Sequence, residues 1–169
     1  MIAGMSTYAF VHTVISLVGI VSGLAVLYGL LAARRMDGWT AIFLVTTAAT
    51  SVTGFFFPFH GFKPSYVVGA LSIIVLALAY VARYRHHLAG GWRVTYVVSA
   101  IIALYFNVFV LIVQSFLKVP ALNALAPTQT EPPFKIAQLT ALVLFVVFGI
   151  VSTKKFHVEL IQGGSHVRS

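Results

Sequence analysis

Cysteine does not occur in the 169 residues. Its absence excludes disulfides, thiolate nucleophiles, cysteine-held iron–sulfur clusters and covalent c-type haem attachment. Acidic residues are nearly absent too: Asp37, Glu131 and Glu159 are the whole set, and all lie outside the apolar runs. No carboxylate stands at the centre of an apolar run, where proton-coupled pumps and transporters load their protons. A paired-carboxylate metal or glycosidase-type site is excluded on the same ground. No lysine or arginine interrupts the middle of a run either, which removes a retinal Schiff-base lysine. Charged residues of both signs make up only 8% of the chain. That is far too little to cover a water-soluble domain, so much of the apolar surface must face lipid.

What is present is hydrophobic length. Apolar residues make up 60% of the chain and gather into five runs, at about 8–33, 38–57, 66–82, 94–117 and 134–151. Crossing about 30 Å of hydrocarbon takes roughly 17–25 helical residues, and each run supplies them. The expected fold is all-α, a polytopic transmembrane bundle of about five helices. Residues 1–157 would form one transmembrane domain and 158–169 a loose cytoplasmic tail. The first run is expected to be an uncleaved helix: nothing basic precedes it, it exceeds a signal peptide's apolar stretch, and Arg34-Arg35 follow it.

The net charge of +8 would suggest nucleic-acid binding in a soluble protein. Here the basic residues fall between or after the apolar runs, as topology signals do, and no nucleic-acid partner is expected. With the N-terminus outside and the C-terminus in the cytoplasm, the inner segments hold Arg34, Arg35, Arg83, Arg85, Arg93, Lys154, Lys155 and Arg168. The outer ones hold only Lys63, Lys118 and Lys135. Trp39 and Trp92 then sit at the cytoplasmic interface. The short loops and the charge bias favour a bacterial inner membrane as host.

The polar groups within the runs are neutral. Asn107 and Gln114 are two helical turns apart, on one face with Leu111 between them. His12 and Ser16 stack at i, i+4, and Gln138 and Thr140 lie in the outer half of the last run. An unpaired amide in hydrocarbon costs several kcal/mol, so these groups should point into the bundle. His12, Ser16, Asn107, Gln114 and Gln138 are therefore the candidate lining of an outward-facing polar pocket, with interhelical bonding as the plainer role. The segment from Lys118 to Pro133 contains four prolines and is a candidate cover, with one helical turn possible at 121–125.

His12 and His60 together present two imidazoles at similar depth, a possible site for one b-type haem or, with a third ligand, copper. Phe55, Phe56, Phe57, Phe59, Phe62 and Tyr66 form an interfacial aromatic belt and a possible wall for a quinone. His86-His87, within the basic 83–93 stretch, suits an anionic lipid headgroup or plain solvation. Gly19 and Gly23, followed by Ala25 and Gly29, repeat small residues four apart and mark a close helix contact. Its partner, within the chain or in a second copy, is left open by the sequence. Ser16 beside His12 lacks an acid at common depth, so an intramembrane hydrolase is the least favoured class.

Three readings follow. The first is a non-enzymatic module that binds or passes a small neutral or amphipathic ligand. The second is a redox anchor for haem or quinone. The third is a structural subunit that docks by its glycine face onto a copy of itself or a larger membrane complex, with the lipid bilayer a partner throughout.

Overall fold

A computed structural model describes residues 6–57 and 64–165, with side chains described for 6–57 and 66–156. Six α-helices account for most of it: α1 (Thr7–Leu31), α2 (Asp37–Gly54), α3 (Pro64–Tyr80), α4 (Trp92–Lys118), the short α5 (Pro120–Leu125) and α6 (Pro132–Ser165). Among the described residues there is no strand. The architecture is an all-α bundle. α1, α4, α6 and the stretch Tyr66–Arg85 are each long and apolar enough to cross a membrane, which marks an integral membrane protein. α2 has 18 residues, about 27 Å of helix, but its threonines, Ser51 and Asp37 leave it less apolar than these four.

Local chemistry sets the helix ends. Ser6 caps α1, its hydroxyl accepting the Ala9 N–H at 3.2 Å. α1 stops where Ala33 turns left-handed (φ 54°) and the Arg34 N–H reverses onto the Gly29 carbonyl at 2.8 Å. Proline opens α5 and α6, where a missing N–H costs nothing. α3 runs on into a π-helical turn, Val81–Arg85, and the chain then reverses through His87, Leu88 and Gly90, all at positive φ. Leu88 is buried there, and His86 stacks flat on Trp92 at 3.9 Å.

The helices differ from the sequence expectation in three places. The second run ends as helix at Gly54, three residues early, and Phe55 and Phe56 form a turn. The third starts at Pro64 and, with its π-turn, reaches Arg85. Residues 158–165, expected as a loose tail, continue α6, so Lys154-Lys155 ends the apolar run without ending the helix. Lysine is a good helix former, so a charge pair marks where lipid contact ends rather than where the backbone hydrogen bonds stop.

α1 and α4 organise the packing. α1 lies against α2, α4 and α6; α4 lies against α1, α3, α5 and α6; α2 closes the circuit by packing on α3. The core runs along this junction through Leu27, Leu30, Phe43, Tyr96, Val97 and Leu104. α6 is the most peripheral span, with a long outer row from Ile136 to Ile150 exposed and suited to lipid.

The small-residue face of α1 is consumed inside the chain. A Cβ on Gly23 would stand 2.5 Å from Leu104 Cδ1 and 2.9 Å from the Phe43 ring, and one on Gly29 would stand 2.8 Å from Met36 Cγ. Gly19 lies under Thr46, Thr47 and Asn107, whereas Ala25 is half-buried beside this seam. α2 and α4 occupy that face at Gly19 and Gly23, and Met36 covers Gly29.

Candidate ligand cavity

Where α1 begins, α2 and α4 end and α3 begins, the bundle is not filled by its own side chains. The start of α1 is fastened to the end of α2 by the Tyr8 hydroxyl, which donates to the Thr53 carbonyl. His12 is fixed by the same residue, its Nδ1 lying 2.8 Å from Thr53 Oγ1. Thr53 Oγ1 is also 2.7 Å from the Ala49 carbonyl, which takes its only hydrogen. With the hydroxyl hydrogen on the Ala49 carbonyl, Thr53 Oγ1 accepts from the imidazole Nδ1–H, and Thr53 thus links the ring to the α2 backbone. Phe57 packs edge-on against the ring at 4.9 Å.

One turn deeper, the Ser16 hydroxyl donates to the His12 carbonyl at 2.8 Å. It thus bonds backbone rather than imidazole, and no nucleophile–base pair exists here. Deeper still, the Asn107 amide donates to Thr47 Oγ1 at 3.0 Å, joining α4 to α2. Gly19 lies directly over that bond: its added Cβ would stand 3.2 Å from Thr47 Oγ1 and 3.6 Å from Asn107 Nδ2. A methyl at 19 would ask the Thr46 and Thr47 hydroxyls to give by a few tenths of an ångström.

Between these groups is a cavity of about 600 Å³, within the usual size of small-molecule sites. His12, Ser16, Asn107 and Gln114 all line it, on two facing helices. Leu111 lines it too, as the two-turn spacing of Asn107 and Gln114 requires. α2 and α3 add Thr50, Ser51 and Ser72, and the aromatic wall is Phe55, Phe57, Tyr66 and Phe106. Phe55 stacks on Tyr66 at 5.9 Å, with Gly69 providing the room beside it. Lys118 and Val119 stand at the rim.

Several of these polar atoms are left without a protein partner. Thr50 Oγ1 is buried and unbonded. Among the described residues the Gln114 amide has no hydrogen bond, and Asn107 uses its nitrogen while its carbonyl oxygen makes none. Burying the Thr50 hydroxyl unsatisfied costs about 1–3 kcal/mol, which a hydrogen-bonding occupant would remove. The Gln114 amide and the Asn107 oxygen are open to the cavity and free to bond an occupant.

No protein-family model, curated protein or solved structure matches the chain.

Two groups expected in the pocket lie elsewhere. Gln138 does not line the cavity; its amide donates to the Phe109 carbonyl at 3.3 Å and ties α6 to α4. Sequence depth sets it level with Gln114, but depth does not fix azimuth, and α6 turns this side chain onto α4. The proline-rich segment is not a cover. α5 forms as a single short helix, Asn123 donates to the Phe116 carbonyl at 3.1 Å and Gln129 to the Val113 carbonyl at 2.9 Å. These bonds fold the segment back along α4, and of it only Lys118 and Val119 reach the cavity. Glu131 closes this segment. Slight desolvation raises its pKa, but hydrogen bonds from the Thr128 hydroxyl and from backbone N–H groups outweigh it and hold the carboxyl below its usual range.

His60, the second half of the proposed haem or copper pair, lies outside the described residues, as do Phe59 and Phe62 of the aromatic belt. Among the described residues no group of three His, Asp or Glu side chains is placed to hold a metal.

The opposite end of the bundle holds a cluster that the sequence reading did not identify. Arg83 was grouped with the solvated basic loop, yet its side chain is only 5% exposed. It bonds Asp37, the first residue of α2, and lies over the Tyr96 ring at 5.1 Å and the Tyr84 ring at 5.8 Å. Tyr96 in turn shares a 3.1 Å hydrogen bond with Thr40. A signal existed: Ser72, Leu76, Ala79 and Arg83 follow the three- and four-residue spacing of one buried stripe, and Arg83 continues it.

Proposed function

We propose that this protein is a non-enzymatic five-helix membrane module, with α2 as its fifth span, that binds a small amphipathic molecule in the α1–α4 cavity, open to the outer face. The observation that supports this most is the convergence of His12, Ser16, Asn107 and Gln114, with the unbonded Thr50 hydroxyl, on one cavity of about 600 Å³. The lining is mixed in the manner of ligand sites: a few polar groups at defined heights on a mainly apolar and aromatic wall. The eight-to-three bias of basic residues in the sequence supports an orientation with the Arg83 side in the cytoplasm and the Lys118 side outside. A bacterial inner membrane fits this bias.

Exchange of the polar groups for apolar ones tests the reading. Asn107→Leu matches the side-chain shape, Gln114→Leu is one heavy atom shorter, and together they remove both amides. Each good hydrogen bond to ligand is worth about 0.5–1.5 kcal/mol, so the double variant is expected to weaken binding of a co-purified amphiphile by roughly tenfold to a hundredfold. Native mass spectrometry of the two proteins from the same membranes reads this directly. Equal retention by both would remove the cavity from the account.

A further inference from the structure

Among the described residues the cavity has one lysine or arginine on its lining, and that residue has no ion pair. Lys118 ends α4 at the rim, exposed, and forms no ion pair among the described residues. No aspartate or glutamate lines the cavity. Nor is there a spare carboxylate in the chain to serve it: Asp37 is bound to Arg83 at the far end, Glu131 is held by Thr128, and Glu159 lies in the distal part of α6. A lysine ammonium closing an otherwise neutral, mainly apolar cavity is complementary to a single negative charge carried on an apolar body. Below it the Gln114 amide stands one turn in and Asn107 about 16 Å in, at 1.5 Å per residue along α4. Ile20, Phe106 and Val110 give the depth between and around them an apolar wall.

Resting on the cavity reading above, we infer that the ligand is a single-chain amphiphilic acid of the fatty-acid class, its carboxylate at Lys118 and its chain running inward past Gln114 towards Asn107. A singly charged head matches Lys118, the one lysine or arginine that lines the cavity among the described residues, and a chain of medium length matches the depth.

The test uses full-length protein in phosphatidylcholine nanodiscs, with radiolabelled dodecanoic acid and its methyl ester as probes at a pH where the acid is ionised. The pair differs only in the charge. Wild-type protein is expected to bind the acid about fivefold more tightly than the ester, the upper worth of a rim-exposed ion pair. Lys118→Met should abolish this preference, and Lys118→Arg should retain it. Lys135→Met removes an equal charge from a residue that does not line the cavity, and should leave the preference intact. Acid and ester bound equally by the wild type would overturn the anionic ligand while leaving the cavity reading standing. Preference lost equally in Lys118→Met and Lys135→Met would overturn it also, by showing a general surface-charge effect. Binding of neither probe would overturn the inference, and with equal retention of native ligand by the Asn107→Leu/Gln114→Leu protein the cavity reading falls separately.

Discussion

Gly23→Leu is expected to abolish folded protein. At this position even a methyl group has no room: the added Cβ stands 2.5 Å from Leu104 Cδ1 and 2.9 Å from two atoms of the Phe43 ring. Leu104 and Phe43 are themselves buried in the central core, so neither can swing away into free space. Overpacking by a methylene or two typically costs about 1–3 kcal/mol, and leucine adds four carbons. Gly23→Ala should therefore give a folded but weakened protein, and Gly23→Leu one that elutes as aggregate in size-exclusion chromatography. The same substitution also separates two accounts of the small-residue motif. Had the glycines served association between copies, Gly23→Leu would yield a stable monomer from a dimer. A monodisperse, thermally stable Gly23→Leu protein would mean that α1 does not pack on α2 and α4 as described.

Asp37→Ala is expected to destabilise the bundle by about 2 kcal/mol, and Arg83→Met to be close to neutral. The asymmetry follows from where the two charges lie. Asp37 is 67% exposed and Arg83 5%. Removing the carboxylate leaves a guanidinium buried against Tyr96 and Tyr84 with its countercharge gone. Breaking a fully buried pair costs about 3–5 kcal/mol and a surface pair about 0–1, and this half-buried case falls between them. Removing the arginine instead leaves a solvated carboxylate that still lies 3.7 Å from Arg35, and methionine fills the vacated space. The double variant should recover most of the Asp37→Ala loss. Unfolding titrations in mixed micelles read all three. An Arg83→Met loss as large as that of Asp37→Ala would show that the ion pair itself, rather than the avoidance of a lone buried charge, holds the Arg83 end.

What was legible in the sequence was whatever depends on length and period. The apolar runs return as α1, α2, α3, α4 and α6 because helices answer to hydrophobic length in lipid, where backbone groups must bond within the segment. The shared face of Asn107 and Gln114 and the stack of His12 on Ser16 follow from 3.6 residues per turn, and both pairs reach one cavity. What was not legible is which neighbour a face meets. Gln138 has the composition and depth of a lining residue but sits on the α6–α4 contact. The small-residue motif of α1 announced close packing without naming its partner, which proves to be Phe43, Thr47 and Leu104 of the same chain. Arg83 shows a third kind of loss. Its charge argued for solvent, its spacing argued for burial, and one carboxylate at the start of a different helix decided between them.

The absence of cysteine makes one measurement unusually direct. In Gln114→Cys the only thiol in the protein lies on the cavity wall, about one turn inside the rim at Lys118. A membrane-impermeant methanethiosulfonate added to intact cells should modify it, and dodecanoic acid should protect it. That outcome joins the cavity, its opening on the outer face and its occupancy by an amphiphile in one experiment. A thiol that reacts only from the cytoplasmic side, or reacts equally with and without the amphiphile, would contradict the account.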